Sequence, residues 1–309
     1  MLSRTASGLY WMARYLERAE QLARVLDVTH RLSMMPVQQN PGEELLLPLN
    51  LTGTHQLFTV LNGRLTMPQL FNFFVLDERN PGSIFSCWQS AWNNAHAVRG
   101  TLSSEVWESI NSTWIELRNM RRRGISITNA DSFFDWVKER SHLFRGALLG
   151  TLLRGDALSF IRIGTLLERC DGTARLLSIN QEMPGMQENS VREYYFLDTL
   201  LRAVSAKEGY HTIFHQQVML DNVNQMLILR NESPRSLHSC VEAIAGQLQL
   251  INRQGENRPR LLATSMLAEM QFNTWESLIP DGVAAWLTGF SQRVDALAES
   301  IQHTYLEAQ

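Results

Sequence analysis

The spacing of apolar residues is the feature that most limits what this chain can fold into. From Leu9 to Leu32, apolar residues recur every three or four positions, which is the period of one face of an α-helix. The same spacing recurs in eight further segments, at about 83–100, 104–122, 131–153, 155–180, 192–206, 234–252, 259–271 and 283–306. The alternation typical of strands is almost absent, since Ile125–Thr128 is too short to build a sheet. The pattern predicts an all-α fold, a multi-helix bundle.

Helix-breaking residues separate these segments. They cluster at 36–53, 123–131, 181–191, 231–234, 253–258 and 279–282. Each cluster is short enough to be a connection inside one helical body rather than a linker between independent domains. We therefore expect a single helical domain over residues 1–309.

Composition limits the class of protein further. The chain has 309 residues, 44% of them hydrophobic, which suffices for a core, and its formal net charge of −3 disfavours a basic nucleic-acid binder. Three cysteines far apart in the sequence exclude a disulfide scaffold and indicate a reducing compartment. The sequence shows no signal-peptide core and no run of about 18 apolar residues that could span a membrane. These features predict a soluble, cytoplasmic protein with no membrane or nucleic-acid partner.

An internal repeat gives the bundle a predicted organisation. Residues 16–26 and 167–177 share six of eleven residues at an offset of 151 positions. Residues 80–87 and 233–240 also match, at an offset of 153. Two matches at nearly one offset predict a duplicated helical unit with halves of roughly 1–153 and 154–309, related by a rough twofold rotation.

The second pair of repeated segments suggests two helix starts. Asn80 and Ser233 are suitable N-caps, and the proline after each would occupy the first helical position. Free N–H groups at a helix start attract anions, and arginines lie nearby. The candidate anion site consists of Arg79, Ser83, Arg235 and Ser236. A plain capped helix is the alternative.

The first repeated segment carries a charged helix face. At about 100° per residue, Glu17, Glu20, Arg24 and Asp27 share one face, with Arg14 at its edge. Arg18 falls at the border with the apolar face, where it is expected to be partly buried.

The second copy repeats this arrangement within a more apolar stretch. Its charged residues are Glu168, Arg169, Asp171 and Arg175. If the copies pack about a twofold axis, Glu17 could pair with Arg169 and Glu168 with Arg18. Buried charges must be paired, so this set is either a structural ion-pair network or a ligand-binding charged pocket. An ordinary solvent-exposed face is the third alternative.

Motifs of known chemistry are missing from the sequence. It has no Gly-rich phosphate loop, no His-Glu-x-x-His, no Cys-x-x-Cys and no Gly-x-Ser-x-Gly. His211 and His215 could share a helix face, but no third metal ligand is marked. Only two of the 28 basic residues are lysine, which makes a phosphate-gripping lysine hard to place. We predict no catalytic residue, no metal and no cofactor.

Two features of one segment have ordinary structural interpretations. The arginines at 121–123 would complement the dipole at a helix C-terminus. Trp107 and Trp114 are seven residues apart, hence on one helix face, and are expected in the core.

Several motifs together resemble the bacterial alpha-E family, a helical domain of unknown function with a Glu-Arg motif. The resemblance rests on Met1–Arg4, Leu9–Glu20, Asp77–Ile84, Ser104–Asn111 and Gly164–Leu177, and it ends near Pro234–Leu237. One departure is Ala91–His96, where the family pattern would be Arg-Glu-Asn-Ala-Arg. This departure makes a charge network on that helix doubtful.

The resemblance implies a partner rather than a reaction. Similar proteins are encoded beside, or fused to, a circularly permuted ATP-grasp ligase, often with a transglutaminase-like peptidase. The implied function is a non-catalytic accessory subunit in an amide-forming system. The alternatives are an enzyme whose active site uses Glu17, Arg18, Glu168 and Arg169, and a module that binds acidic peptides through its arginines.

Overall fold

The computed structural model describes residues 1–34, 42–182, 191–251 and 257–307. Helices account for nearly all of the regular structure in these ranges, and no strand occurs there, which confirms the all-α prediction. The predicted breakers at 36–41, 183–190 and 253–256 lie outside the described residues. The chain divides into two compact units, Gly8–Ile161 (the N-terminal unit) and Arg162–Gln309 together with Met1–Ser7 (the C-terminal unit).

Long helices dominate the N-terminal unit. In chain order, the helices up to residue 151 are α1 (Ser3–Ser33), α2 (Leu46–Thr52), α3 (His55–Asn62), α4 (Met67–Val75), α5 (Ile84–Ala97), α6 (Ser104–Arg123) and α7 (Ala130–Thr151). The first residues of α1 belong to the C-terminal unit. Within the N-terminal unit, α6 packs against both α5 and α7. The core is aromatic, with Phe58, Phe73, Phe74, Trp88 and Phe134 almost completely buried.

The C-terminal unit contains more helices. In chain order, the remaining helices are α8 (Asp156–Glu182), α9 (Val191–Ala203), α10 (Lys207–Phe214), α11 (Leu220–Leu229), α12 (Leu237–Leu250), α13 (Arg258–Phe272), α14 (Trp275–Leu278) and α15 (Val283–Ile301). The first residues of α8, up to Ile161, belong to the N-terminal unit. Within the C-terminal unit, α12 packs on α11 and α13, and α13 packs on α15. Tyr210, Phe290 and Tyr305 are the largest side chains that are fully buried there.

The predicted connection at 36–53 is partly wrong. Residues Leu46–Thr52 form α2, and Gly53 ends it in the left-handed conformation, at φ 63°. This helix has only seven residues, so it offers too few turns for an apolar period to show in the sequence. The same limit applies to α3, α4, α10 and α11, which the periodicity also did not predict.

The predicted N-caps at Asn80 and Ser233 are wrong by three residues. Ser83 caps α5 by accepting a hydrogen bond from the Ser86 N–H, and Ser236 caps α12 by accepting one from the Ser239 N–H. Asn80 and Ser233 instead begin turns, because their carbonyls accept from the N–H groups of Ser83 and Ser236. The proline therefore occupies the second turn position, where its fixed φ also fits.

The two capping turns have the same local structure. Ser83 lies at φ −63° and ψ 154°, and Ser236 lies at φ −69° and ψ 155°. In each, the cysteine four residues further on donates its N–H to the capping serine's carbonyl. The sequence match at an offset of 153 therefore corresponds to a match of backbone geometry in these two segments.

Candidate functional site

The charged face of α1 is buried inside the N-terminal unit. Glu17, Glu20, Arg24 and Asp27 are each less than a tenth exposed, and Glu20 has no exposed surface. The helical period correctly placed these residues on one face. Because burying a charge is costly, each must be compensated by a partner of opposite sign.

Glu20 lies at the centre of this charged face. The Arg24 guanidinium donates to Glu20 Oε1 through Nε at 3.0 Å and Nη2 at 2.8 Å. The Arg145 guanidinium, from α7, donates to both carboxylate oxygens of Glu20, and its Nη1 lies 3.7 Å from Glu17 Oε2. One carboxylate therefore binds two guanidinium groups, the strongest kind of charge-assisted pairing available to side chains.

A second cluster of ion pairs lies near the C-terminal end of α1. Asp27 accepts from Arg31 Nε at 2.7 Å and from Lys138 Nζ at 2.9 Å. Lys138 also lies 2.7 Å from Asp135. Burial by itself lowers the pKa of Lys138, but the hydrogen bonds to Asp135 and Asp27 outweigh it and hold the pKa above its ordinary value. Lys138 is therefore charged at neutral pH and ties α7 to α1.

The ion pairs define an antiparallel register between α1 and α7. As the residue number increases along α1, the residue number of its partner on α7 decreases. Glu20 pairs with Arg145, Asp27 pairs with Lys138, and His30 Nδ1 lies 3.1 Å from Asp131 Oδ1. The α7 residues are spaced by seven, hence on one face. The sequence analysis did not identify these α7 residues. The spacing of seven between the charged residues Asp131, Lys138 and Arg145 was the signal that could have revealed them.

The predicted residues at the edge of α1 contact aromatic rings. Arg14 Nη1 donates to the Tyr10 hydroxyl at 2.9 Å, and its guanidinium lies 5.5 Å from the Trp11 ring centroid. The Arg18 guanidinium, on a half-buried side chain, lies 5.6 Å from the centroid of Tyr15. Guanidinium groups over aromatic faces gain a cation–π attraction.

The second predicted set lies on α8 in the C-terminal unit. Glu168 is buried, and Arg169 is half-buried with Nη1 3.5 Å from the Pro234 carbonyl oxygen. Asp171 pairs with Arg175 at 2.9 Å, and the Arg175 side chain is 52% exposed. The Asp171–Arg175 pair is therefore a surface ion pair, whereas Glu20–Arg24 is buried, because Arg175 faces solvent and Arg24 does not.

The candidate anion site has the contacts of a plain capped helix. Ser83 and Ser236 are completely buried, and each hydroxyl already caps its own helix. Arg79 donates to Asp77 through Nε at 2.9 Å and Nη2 at 2.7 Å. Arg235 is buried, and its carbonyl accepts from the Thr173 hydroxyl at 3.1 Å. The described contacts therefore favour the alternative of a plain cap, and anion binding here stays a prediction.

The Asp77–Arg79 pair predicts an acid-sensitive turn. The Arg79 hydrogen bond holds the pKa of Asp77 below its ordinary value, so the pair stabilises the fold fully above about pH 4 and loses this effect as pH falls through the folded-state pKa. Asp77→Asn should therefore lower the unfolding free energy at pH 7, and its difference from the natural chain should shrink as pH falls through the folded-state pKa of Asp77. Urea unfolding at a series of pH values measures this, and a difference that does not change with pH would contradict it.

A groove lies between α5 and α6 at the surface of the N-terminal unit. Its volume is about 560 Å³, and it is lined by Glu78, Phe85, Gln89, Trp92, Asn93, Trp114, Arg118, Arg121 and Arg122. A neighbouring hollow of about 450 Å³ shares Glu78 and Arg121 with it. Apolar rings and guanidinium groups thus line one continuous surface.

Three aromatic rings of this groove, together with Trp107 beside it, form a row. The Phe85 and Trp114 centroids are 5.1 Å apart, those of Trp114 and Trp92 are 6.3 Å apart, and those of Trp92 and Trp107 are 6.4 Å apart. Trp92 Nε1 donates to Asn111 Oδ1 at 3.0 Å, which fixes its ring. His96 stacks on Trp92 at 5.2 Å. The departure from the family pattern at 91–96 thus coincides with an aromatic cluster.

From the sequence, the residues of this groove were predicted to have structural roles only. Trp114 is buried as expected for a core residue, but Trp107 is half-buried. Arg121 lies in the last turn of α6, as predicted, but its guanidinium also lies 4.3 Å from the Phe85 centroid and binds Glu78. The signal that could have revealed the groove is the spacing of Trp107, Trp114, Arg118 and Arg121 along one face of α6.

No metal centre is evident in the described residues. They contain no group of three or more His, Cys, Asp or Glu side chains that could hold a metal ion. His211 is the only one of the two predicted histidines inside α10, because the helix ends at Phe214 and His215 adopts the left-handed conformation at φ 49°. The two rings therefore do not share a helix face.

The described residues contain no membrane-spanning helix and no exposed thiol. No helix in the described part of the chain is long and apolar enough to cross a bilayer. All three cysteines are buried thiols, and burial raises the pKa of Cys170 well above its ordinary value. A thiol held protonated in this way is a weak nucleophile.

Comparison with known proteins places the chain in a family. A family model described as "a predicted alpha-helical domain with a conserved ER motif", named Alpha-E, matches residues 1–306. Uncharacterized proteins from Mycobacterium bovis and from two strains of Mycobacterium tuberculosis are 22% identical to the chain over 295 residues. The matched region is 89% of this chain but only 33% of each relative's length. No solved structure matches. Because the family model covers nearly the whole sequence, the chain belongs to the Alpha-E family.

Proposed function

We propose that this chain is a non-catalytic partner subunit of an ATP-grasp amide ligase, working in the cytoplasm. The proposal extends the family resemblance, which implies such a ligase as the neighbour or fusion partner. The mycobacterial relatives support it, because the matched region is only a third of their length and so forms part of a larger protein. Three buried cysteine thiols are consistent with a reducing compartment.

The observation that carries the proposal is the pairing within the Glu-Arg helix. Both oxygens of Glu20 accept from guanidinium groups, and the two oxygens of Asp27 accept from Arg31 and Lys138. A catalytic carboxylate must reach a substrate, whereas these carboxylates hold α1 against α7. The charged residues of α1 that first suggested an active site are therefore best explained as the ion pairs that join two helices of the scaffold.

The test is a reconstitution with the ATP-grasp ligase that the family resemblance implies as a partner. We expect the two proteins to co-elute from a sizing column, and the ligase to release more ADP and form more amide product when the chain is present. Product is identified by mass spectrometry. Full ligase activity without the chain, and no complex on the column, would refute the partner role.

The isolated chain is the control in that experiment. It should neither bind ATP measurably nor hydrolyse it, because the sequence lacks a nucleotide-binding motif and a phosphate-gripping lysine. ATP turnover by the chain alone would instead favour the enzyme with Glu17, Arg18, Glu168 and Arg169 as its active site.

We also propose that the chain arose by duplication of one helical unit. Six identical residues of eleven at an offset of 151, and two capping turns of matching geometry at an offset of 153, support it. In an experimental structure, one rotation should bring residues 10–28 and 77–100 onto 161–179 and 230–253. Failure of a single rotation to align both segments would contradict the duplication.

A further inference from the structure

The groove between α5 and α6 has more positive charge than its own carboxylates neutralise. Arg118, Arg121 and Arg122 line it, and Arg99 lies at the same end as Trp107. Among the described residues that line it, Glu78 is the only acidic one, and Arg121 already binds it. A chain with a formal net charge of −3 therefore presents a locally cationic surface here.

Aromatic rings hold several of these guanidinium groups in place. The Arg99 guanidinium lies 4.8 Å from the Trp107 centroid, that of Arg121 lies 4.3 Å from Phe85, and that of Arg118 lies 5.9 Å from Trp114. A stacked guanidinium keeps the N–H donors at its edges available for a carboxylate. Because the side chain is already positioned, less conformational entropy is lost when a ligand binds.

The half-buried tryptophans supply the apolar part of the surface. Trp92 in the groove and Trp107 beside it each expose part of the ring, and their centroids are 6.4 Å apart. Tryptophan and arginine are the residues most often found at the energetic centre of protein interfaces. The groove thus combines apolar anchors with carboxylate-binding groups.

The ring geometry disfavours nucleic acid as the occupant. Bases bind single-strand platforms by stacking on open aromatic faces. Here Phe85 and Trp114 are almost fully buried, so neither offers an open face to a base. Carboxylates on a flexible chain, in contrast, need only the guanidinium edges.

We propose that this groove docks an acidic polypeptide segment of a partner protein. Its Asp and Glu side chains would bind Arg118, Arg122 and Arg99, and an apolar side chain between them would pack on Trp92 and Trp107. The inference rests on the proposed function, because it assigns the surface through which a partner subunit would be held. The charge complementarity of the groove is what selects an acidic segment.

A peptide-binding assay tests the ligand chemistry. The probe is a fluorescein-labelled peptide of about twelve residues that places single leucines between pairs of Asp and Glu, and its matched control has Asn and Gln at the acidic positions. We expect saturable binding of the acidic peptide that weakens steeply with added salt. Equal binding of the neutral peptide, or tighter binding of labelled oligo-dT, would overturn the proposal.

Two variants locate the binding site. Arg118→Glu and Trp92→Ala should each weaken acidic-peptide binding about tenfold or more, as expected for interface hot spots. Arg64→Glu, the same charge reversal at an exposed residue outside the groove lining, should change it less than about twofold. Because Arg118 is exposed, its variant should fold normally, which a thermal melt verifies. Wild-type affinity in Arg118→Glu would refute the site.

The same variants separate this inference from the partner role. If the ligase binds the natural chain and binds Arg118→Glu and Trp92→Ala equally well, the groove assignment fails and the partner role survives. If the ligase does not bind the natural chain at all, the partner role fails.

Discussion

Replacing Glu20 with alanine is expected to lower the free energy of unfolding by roughly 3–5 kcal/mol. Glu20 is fully buried between α1 and α7 and accepts hydrogen bonds from Arg24 and Arg145. Removing it would take away the carboxylate that both guanidinium groups contact, and Glu17, 3.7 Å from Arg145 Nη1, would compensate the two charges only in part. Urea unfolding at neutral pH, followed by circular dichroism, measures the loss.

The matched control for Glu20 is Asp171. It forms the same i,i+4 pair with arginine, but at the surface, so Asp171→Ala should cost less than about 1 kcal/mol. Glu20→Gln, which keeps the shape and removes the charge, should also destabilise the protein, by less than alanine does. Equal small losses at Glu20 and Asp171 would show that the α1–α7 ion pairs are dispensable for folding, and would reopen their assignment to a binding site.

The charged network shows what a helical period can and cannot predict. Amphipathic spacing placed Glu17, Glu20 and Arg24 on one face of α1 correctly, because that face depends only on residues within the helix. It could not identify Arg145, which is 125 positions from Glu20 in sequence. Tertiary packing determines which helix lies against α1. In the sequence, this pairing is indicated only by the charged residues of α7 that recur every seven positions.

The elements of the fold divide in a similar way. The long helices were predicted because each offers at least three turns over which apolar spacing repeats. The short helices α2, α3 and α4 have between seven and nine residues and depend on packing for their stability. The capping error at Asn80 has a local cause, since Asn-Pro fits a turn as well as it fits a helix start.

The sequence analysis did not predict the α5–α6 groove, because each of its residues also has an ordinary structural role. Trp114 is a core residue, and Arg121 does sit in the last turn of α6. A functional surface built from such residues becomes visible only when the two helices are placed side by side, since neither helix alone shows the row of rings. The sequence of one helix can suggest the residues on one side of a groove. Which helix forms the other side is determined by the tertiary structure.

Trp88→Ala is expected to be the most damaging substitution in the core of the N-terminal unit, at roughly 3–5 kcal/mol. Trp88 is fully buried on α5, and the small residues Ala91 and Ala95 follow it on the same buried face. These small side chains cannot extend into the space that the indole leaves, so the cavity would persist, and its volume determines the cost. Guanidinium unfolding of the natural chain and of the variant measures the difference.

Trp88→Phe is the informative companion to the alanine variant. Within the described residues, the Trp88 Nε1–H has no hydrogen-bond partner, so the natural chain already bears the cost of burying that donor. Phenylalanine removes the donor while it fills most of the volume, and it should therefore cost much less than alanine, about 1–2 kcal/mol. If phenylalanine proved as damaging as alanine, the indole N–H would be making an essential hydrogen bond, and the cost would lie in that bond rather than in the cavity.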